Sequence, residues 1–183
     1  MYKGHVDISH IDDEMLYRLK FVEHVNTVWS AGYWDRKGVA VPDYPHDAPW
    51  VQQVFEGDCP GWVANCKDLF PWLKYSMVTV NKILPGRFIA PHTDTLFKMQ
   101  QKVKNQNIDI SGLSPIRINL FLQDRLEGHY FEMENEAWID YVKGDYTIIK
   151  PDCTHLVANL GYQTRFTMQL TGYAKEENLD YDQ

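Results

Sequence analysis

Cysteine is scarce in this chain: Cys59, Cys66 and Cys153 are odd in number and show no Cys-x-x-Cys spacing. A disulfide scaffold and a structural zinc knuckle are both poor readings of that pattern. Reduced thiols in a reducing compartment fit it better. Long apolar runs are lacking too, since none approaches the roughly 18–20 residues that span a bilayer. The opening Met-Tyr-Lys-Gly-His-Val-Asp has no apolar stretch of the secretory kind, so a cytoplasmic location without a membrane partner is expected. Positive charge is in deficit. The 18 Lys and Arg face 25 Asp and Glu, for a formal net charge of −7 at pH 7 and a pI of about 5.4. An acidic surface repels phosphate backbones, and the best basic cluster, Lys98, Lys102 and Lys104, is diluted by Asp109 and other acids. Nucleic acid is therefore not expected as a partner. Internal repeats, heptads and low-complexity tracts are missing as well.

What is present reads as one globular domain over residues 1–183, with a helical and loop-rich N-terminal part to about 74 and a β-rich core over about 75–173. From Asp12, the apolar Leu16, Leu19, Val22, Val25 and Trp29 recur at helical steps, and Gly32 follows as a stop. Residues 40–60, punctuated by Pro42, Pro45, Pro49 and Pro60, read as loop; a second short helix is expected over 62–69, before Pro71. The period then changes. Segments 75–84, 116–123, 128–132, 137–142, 146–150, 155–159 and 164–173 are rich in β-branched and aromatic residues, with Gly, Pro, Asn and Asp between them. Closely spaced short strands predict a sandwich or barrel. The stretch 95–115 is long for a connection, which marks it as a candidate lid or, equally, as an ordered excursion with a short helix over 96–104.

Three residues in this frame carry metal chemistry. His92 and Asp94 flank Thr93, and in extended chain residues i and i+2 face the same side. His155, opening a strand after Lys150-Pro151-Asp152, is the natural third ligand. Two imidazoles and a carboxylate on one face of an octahedron leave positions open for Fe(II) oxygen chemistry. Ten residues on, across the turn Asn159-Leu160-Gly161-Tyr162, a hairpin returns the chain so that Arg165 can point into the same pocket and grip a carboxylate.

The set His92-Thr93-Asp94, His155 and Arg165 resembles the pattern of the 2-oxoglutarate- and Fe(II)-dependent oxygenase superfamily, and Asn81 to His92 resembles its lead-in strand and Pro-Gly turn. The resemblance covers roughly residues 75–173 and, in layout, is nearest the prolyl and aspartyl/asparaginyl hydroxylases. It implies a double-stranded β-helix (jelly roll) that is mostly β, with supporting N-terminal helices. Its catalytic metal ligands would be His92, Asp94 and His155, with Arg165 on the far carboxylate of 2-oxoglutarate. O2 and 2-oxoglutarate would be consumed, with release of succinate and CO2 and hydroxylation of a C–H bond in a small molecule or a peptide or protein side chain. Halogenating relatives lack the carboxylate that Asp94 retains. Nucleic-acid demethylases of the superfamily have a tyrosine where Ile83 stands and a second arginine after the first, which residues 166–173 lack.

Other residues carry two readings each. Asn81 either donates to 2-oxoglutarate or supports the adjacent turn, and Thr167, on Arg165's face, is a candidate to share the carboxylate. Arg117 and Asn119 either face water or enter the barrel mouth to orient an acid or amide substrate. His129 is the rival third ligand and a candidate pocket residue. Cys153, Trp138 and Trp72 read as core. Two rival functions remain: a cupin-like metalloenzyme that does not use 2-oxoglutarate, and a metal-retaining binding module without turnover.

Overall fold

The computed structural model describes residues 1–24 and 51–179, and its long strands divide their side chains cleanly between two faces. Arg165–Ala174 is the last of the eleven strands among the described residues, β11. Its Phe166, Met168 and Leu170 belong to one apolar cluster, and the period of two turns Arg165, Thr167, Gln169 and Thr171 the other way. In chain order the other elements are β1 (Gly4–His5), α1 (Asp13–Tyr17), β2 (Val22–His24), β3 (Val51–Phe55) and α2 (Gly61–Asn65) with a 3-10 turn over Cys66–Leu69. Then come β4 (Lys74–Ile83), β5 (Arg87–His92), α3 (Phe97–Asn105), β6 (Ser114–Phe121), β7 (His129–Met133), β8 (Glu136–Ala137), β9 (Asp145–Ile149) and β10 (His155–Asn159).

These strands form a seven-stranded sheet, ordered β1-β9-β6-β11-β4-β3-β2, and a four-stranded sheet, ordered β5-β10-β7-β8. All pairings are antiparallel. From β4 onward the chain alternates between the sheets, with β4, β6, β9 and β11 in the larger and β5, β7, β8 and β10 in the smaller. That winding is a double-stranded β-helix, the jelly roll.

The larger sheet is buried on both faces. Its outer face contributes Val78, Val80, Ile118, Leu120, Ile148, Phe166 and Leu170 to a cluster completed by Ile8, Ile11, Leu16, Leu19, Val63, Phe70 and Leu73 from the N-terminal segments. The inner face closes one end of the barrel with Ile83, Phe121 and Ile149, which meet Phe131, Met133 and Val157 of the smaller sheet together with Trp138 and Tyr141. The expected hairpin across residues 159–162 is corrected, since β10 and β11 pair in different sheets and the turn between them crosses from one to the other. A glycine pair holds that turn, because at Gly128 (φ +82) a Cβ would lie 2.1 Å from the Gly161 nitrogen, a space that only hydrogen can fill.

The N-terminal helix is much shorter than its apolar stripe predicts. Asp12 caps α1 by accepting from the Met15 N–H at 2.8 Å. The helix ends at Tyr17, and Val22 enters a strand paired with β3, where β-branching is favoured. Leu16 and Leu19 are buried in the outer cluster, whereas Val22 is exposed; Val25, Trp29, Gly32 and the Pro-rich loop to residue 50 lie outside the described residues. The part before residue 74 thus carries three strands besides its helical turns. The expected strand over 137–142 is also corrected. The β8 strand stops at Ala137, with one further bond from the Trp138 N–H to the Phe131 carbonyl at 2.9 Å, and Trp138 and Tyr141 pack their side chains into the barrel floor. The helix within 95–115 is present as α3, with Met99 and Val103 packed against Tyr173. Among the described residues no helix is long and apolar enough to cross a membrane.

Leu170 is 0% exposed in the outer cluster, whereas Tyr162 is 98% exposed in a turn. Leu170→Ala is expected to cost about 2–5 kcal/mol of stability, and Tyr162→Ala to stay within about 0.5 kcal/mol of wild type. Urea unfolding midpoints check both.

Candidate metal centre

β5 is the edge strand of the smaller sheet, which lets Pro91 occupy it without breaking a ladder. The strand delivers His92 directly opposite His155, the first residue of β10, with ring centroids 4.2 Å apart. Asp94 follows just past the strand end and is 7% exposed. One ligand atom from each of these three residues lies within 4.8 Å of the others.

The hydrogen bonds fix the chemistry of this cluster. His92 Nδ1 sits 2.8 Å from the Ala90 carbonyl oxygen, and His155 Nδ1 sits 3.1 Å from that of Cys153. A carbonyl only accepts, so each Nδ1 carries the proton and donates it, leaving each Nε2 as a bare lone pair. Those lone pairs face the carboxylate: His92 Nε2 is 3.9 Å from Asp94 Oδ1, and His155 Nε2 is 3.7 Å from Asp94 Oδ2. Acceptor faces acceptor, and His155 Nε2 and Asp94 Oδ2 are buried without a hydrogen-bond partner. A cation between them resolves the conflict, so the donor set fits a divalent metal. Two imidazoles and one carboxylate suit Fe(II) with open positions, and the backbone carbonyls behind each ring orient it. Burial pushes the His155 imidazole down to about 4, which keeps it neutral as a ligand must be.

Asp94 has a second partner. Arg117 Nη1 donates to its Oδ1 at 2.6 Å, and Arg117 Nε donates to Thr171 Oγ1 at 3.1 Å. Burial is the largest single influence on the Asp94 carboxyl and raises it, but the Arg117 guanidinium and the two histidines together outweigh it and hold the group below the usual carboxylate range. Arg117 takes one oxygen and leaves Oδ2 for a metal.

A cavity of about 340 Å³ opens beside the cluster, lined by Asn81, Arg117, Gln169 and Thr171 of the larger sheet and by the start of α3. Arg117 therefore faces the barrel, while Ile118, Leu120 and Leu122 fill the outer core. Asn119 is buried with its Nδ2 unpartnered. Asn81 accepts from Gln53 Nε2 at 2.8 Å. Thr167 lies buried opposite Asn81 in the β4–β11 register. Arg165 is 2% exposed: its Nε donates to the Tyr141 hydroxyl at 3.3 Å, its Nη2 has no partner, and its guanidinium lies over the Phe121 and Tyr141 rings.

His129 is not among the residues brought together. It pairs with Asn159 at the far end of β10, and its Nε2 lies 3.2 Å from the Gln163 carbonyl oxygen. Nor does it line the cavity beside the metal cluster. Cys153 is half-buried and supplies the carbonyl behind His155. Gln169 and Thr171 escaped sequence reasoning, although stepping by two along β11 from Arg165 reaches both. For Gln53 the sequence holds no such signal.

No family model matches the chain, and no curated protein matches it. Among solved structures it is similar to KdgF from Halomonas sp. (14% identity, TM-score 0.42, covering 72% of this chain and 86% of that one). It is also similar to an RmlC-like cupin from Shewanella frigidimarina (8%, TM-score 0.41, 72% and 84%). A third is a salicylate 1,2-dioxygenase from Pseudaminobacter salicylatoxidans (9%, TM-score 0.40, 78% of this chain and 31% of that one).

Two outcomes are expected of the cluster. Anaerobic loading with Fe(II) followed by metal analysis gives about one equivalent per chain; Asp94→Ala and His155→Ala lose it, and His129→Ala keeps it. In the metal-free protein, the His155 imidazole has a folded value of about 4 against an ordinary 6.5. Between those values the unfolded chain binds the extra proton, so stability falls as pH drops from 6.5 towards 4. Urea unfolding in chelator at neutral and mildly acidic pH reads that slope, and His155→Asn flattens it.

Proposed function

We propose that this chain is an Fe(II)- and 2-oxoglutarate-dependent oxygenase that hydroxylates a C–H bond of a small molecule or a protein side chain. The observation that carries this reading is Arg165. It is a guanidinium buried inside the barrel, and among the described residues it has no acidic partner and leaves Nη2 without a hydrogen bond. An uncompensated buried charge is costly, and a carboxylate in fork geometry relieves it. Arg165 shares the inner face of β11 with Thr171, which holds Arg117, which in turn holds Asp94. Both cations therefore face the barrel interior from neighbouring strands.

Bound at His92, Asp94 and His155, Fe(II) supplies O2 activation coupled to decarboxylation of 2-oxoglutarate to succinate and CO2. The chain supplies the rest. His92, Asp94 and His155 would hold the metal, and Asp94 keeps the carboxylate that halogenating oxygenases lack. Arg165 orients the co-substrate, with Thr167 and Asn81 beside it as further polar contacts. The apolar floor of Phe121, Phe131, Trp138 and Tyr141 keeps water from the guanidinium, which strengthens its hold on a carboxylate.

The alternative is a cupin-like metalloenzyme that does not use 2-oxoglutarate. It finds support in the Tyr141 hydroxyl and the two aromatic faces, which hold Arg165 from within the protein.

Succinate release separates the readings. The iron-loaded protein should convert 2-oxoglutarate to succinate, and substrate should stimulate the conversion. Arg165→Gln should keep its iron while needing about a hundredfold more 2-oxoglutarate, the effect of losing a few kcal/mol of charge-assisted binding. An unchanged 2-oxoglutarate affinity in that variant, or no succinate at all, returns the site to the cupin alternative.

A further inference from the structure

The cavity beside the metal cluster has a charge opposite to that of the protein. The chain carries −7 overall. Of the residues lining the cavity, the charged ones are Asp94, Lys98 and Arg117. Asp94 already pairs with the Arg117 guanidinium, so its charge is offset within the cluster. Arg117 gives Nε to Thr171 and one Nη1 hydrogen to Asp94; no described residue takes its Nη2 edge. Lys98, in the first turn of α3, has no carboxylate partner among the described residues and lies over the Phe55 ring with Nζ 4.2 Å from its centroid. The ring holds the ammonium at the cavity rim and leaves its hydrogens available. A divalent metal on Asp94 makes the cavity more positive still.

Resting on the oxygenase reading, we propose that the substrate is a small molecule bearing a carboxylate, held between Lys98 at the rim and the free edge of Arg117 beside the metal. Size supports this. At about 340 Å³ the cavity is near the small end for ligand sites, and Arg165 and Thr167 are not among the residues that line it. One lysine and a half-engaged guanidinium suit a monoanion better than a phosphate dianion, which draws on more donors. The amides of Gln53 and Gln169, lining the same cavity, are placed for the polar groups of such a molecule.

The test uses the full chain loaded with Mn(II) and 2-oxoglutarate without oxygen, titrated calorimetrically with free and N-acetylated amino acids and with the primary amide of each. At least one acid is expected to bind about tenfold tighter than its amide, a difference of about 1.4 kcal/mol. Lys98 is exposed, so its replacement leaves the core intact: Lys98→Gln should remove most of the acid preference and Lys98→Arg should keep it. Acids that bind no better than amides across the panel overturn the proposal. So does an acid preference that survives Lys98→Gln, since that carboxylate would sit on the metal itself. The co-substrate reading is scored separately by the heat of 2-oxoglutarate binding before any acid is added, and the same titrations without 2-oxoglutarate read the acid preference on its own.

Discussion

A β-strand turns alternate side chains to opposite faces, and in this chain both faces of the larger sheet must be buried. The N-terminal segments cover the outer face, where Phe166, Met168 and Leu170 of β11 find apolar neighbours. The inner face encloses the barrel, so Arg165, Thr167, Gln169 and Thr171 are polar groups in an interior. Buried polar groups need partners. Most find them within the sheet, as Arg117 does on Thr171 and Gln53 on Asn81. Among the described residues, four side-chain atoms do not: Asp94 Oδ2, His155 Nε2, Asn119 Nδ2 and Arg165 Nη2. The first two belong to one cluster, and the other two lie on inner-face positions of neighbouring strands, β6 and β11. The unmet polar demand of the fold therefore gathers in the barrel, where ligands would meet it.

Within the cluster, charge balance is achieved in two ways at once. A carboxylate that is 7% exposed stays ionised only with cations beside it, and Arg117 is held close by a strand residue. A planar guanidinium suits this position better than an ammonium would. It bonds Thr171 and Asp94 through different nitrogens and keeps an edge for a third group. The same contact leaves one Asp94 oxygen for the metal side and places a positive edge towards the cavity. The histidines complete the arrangement because each proton is committed to a backbone carbonyl, and neither ring can relieve the Asp94 charge by donating to it.

Much of this was legible in the chain, for reasons that differ by element. The strand over 155–159 matches β10 in full, since the turn residues on either side bound it sharply. His92, Asp94 and His155 were readable from spacing and order alone. β5 was harder, because Pro85, Gly86 and Pro91 look like turn signals and only the edge position makes Pro91 compatible with pairing. The N-terminal stripe misled because helical spacing of Leu16, Leu19 and Val22 also arises when a short helix hands over to a strand and separate residues reach one core. The alternation in Arg117–Phe121 was ambiguous for a deeper reason. Polar residues at every second position mean water in a half-exposed sheet and an enclosed site in a barrel, and local sequence does not distinguish the two.

That ambiguity bears on what the fold can say about chemistry. A jelly roll with a histidine and carboxylate cluster is common ground for enzymes that do and do not consume a keto acid, so the architecture alone selects neither. The distinction rests on how charge is layered along the barrel. At the floor, Phe121 and Tyr141 stack at 3.8 Å and the Arg165 guanidinium lies 5.6 and 5.9 Å from their centroids, in an apolar setting where water is kept away. Towards the mouth, Arg117, Gln169 and Thr171 form a polar wall, and Lys98 stands at the rim. The barrel thus carries two cationic regions, Arg165 at its floor and Arg117 with Lys98 at the cavity beside the metal cluster. On the proposed function these would serve two different acids, the co-substrate at Arg165 and the substrate beside Arg117.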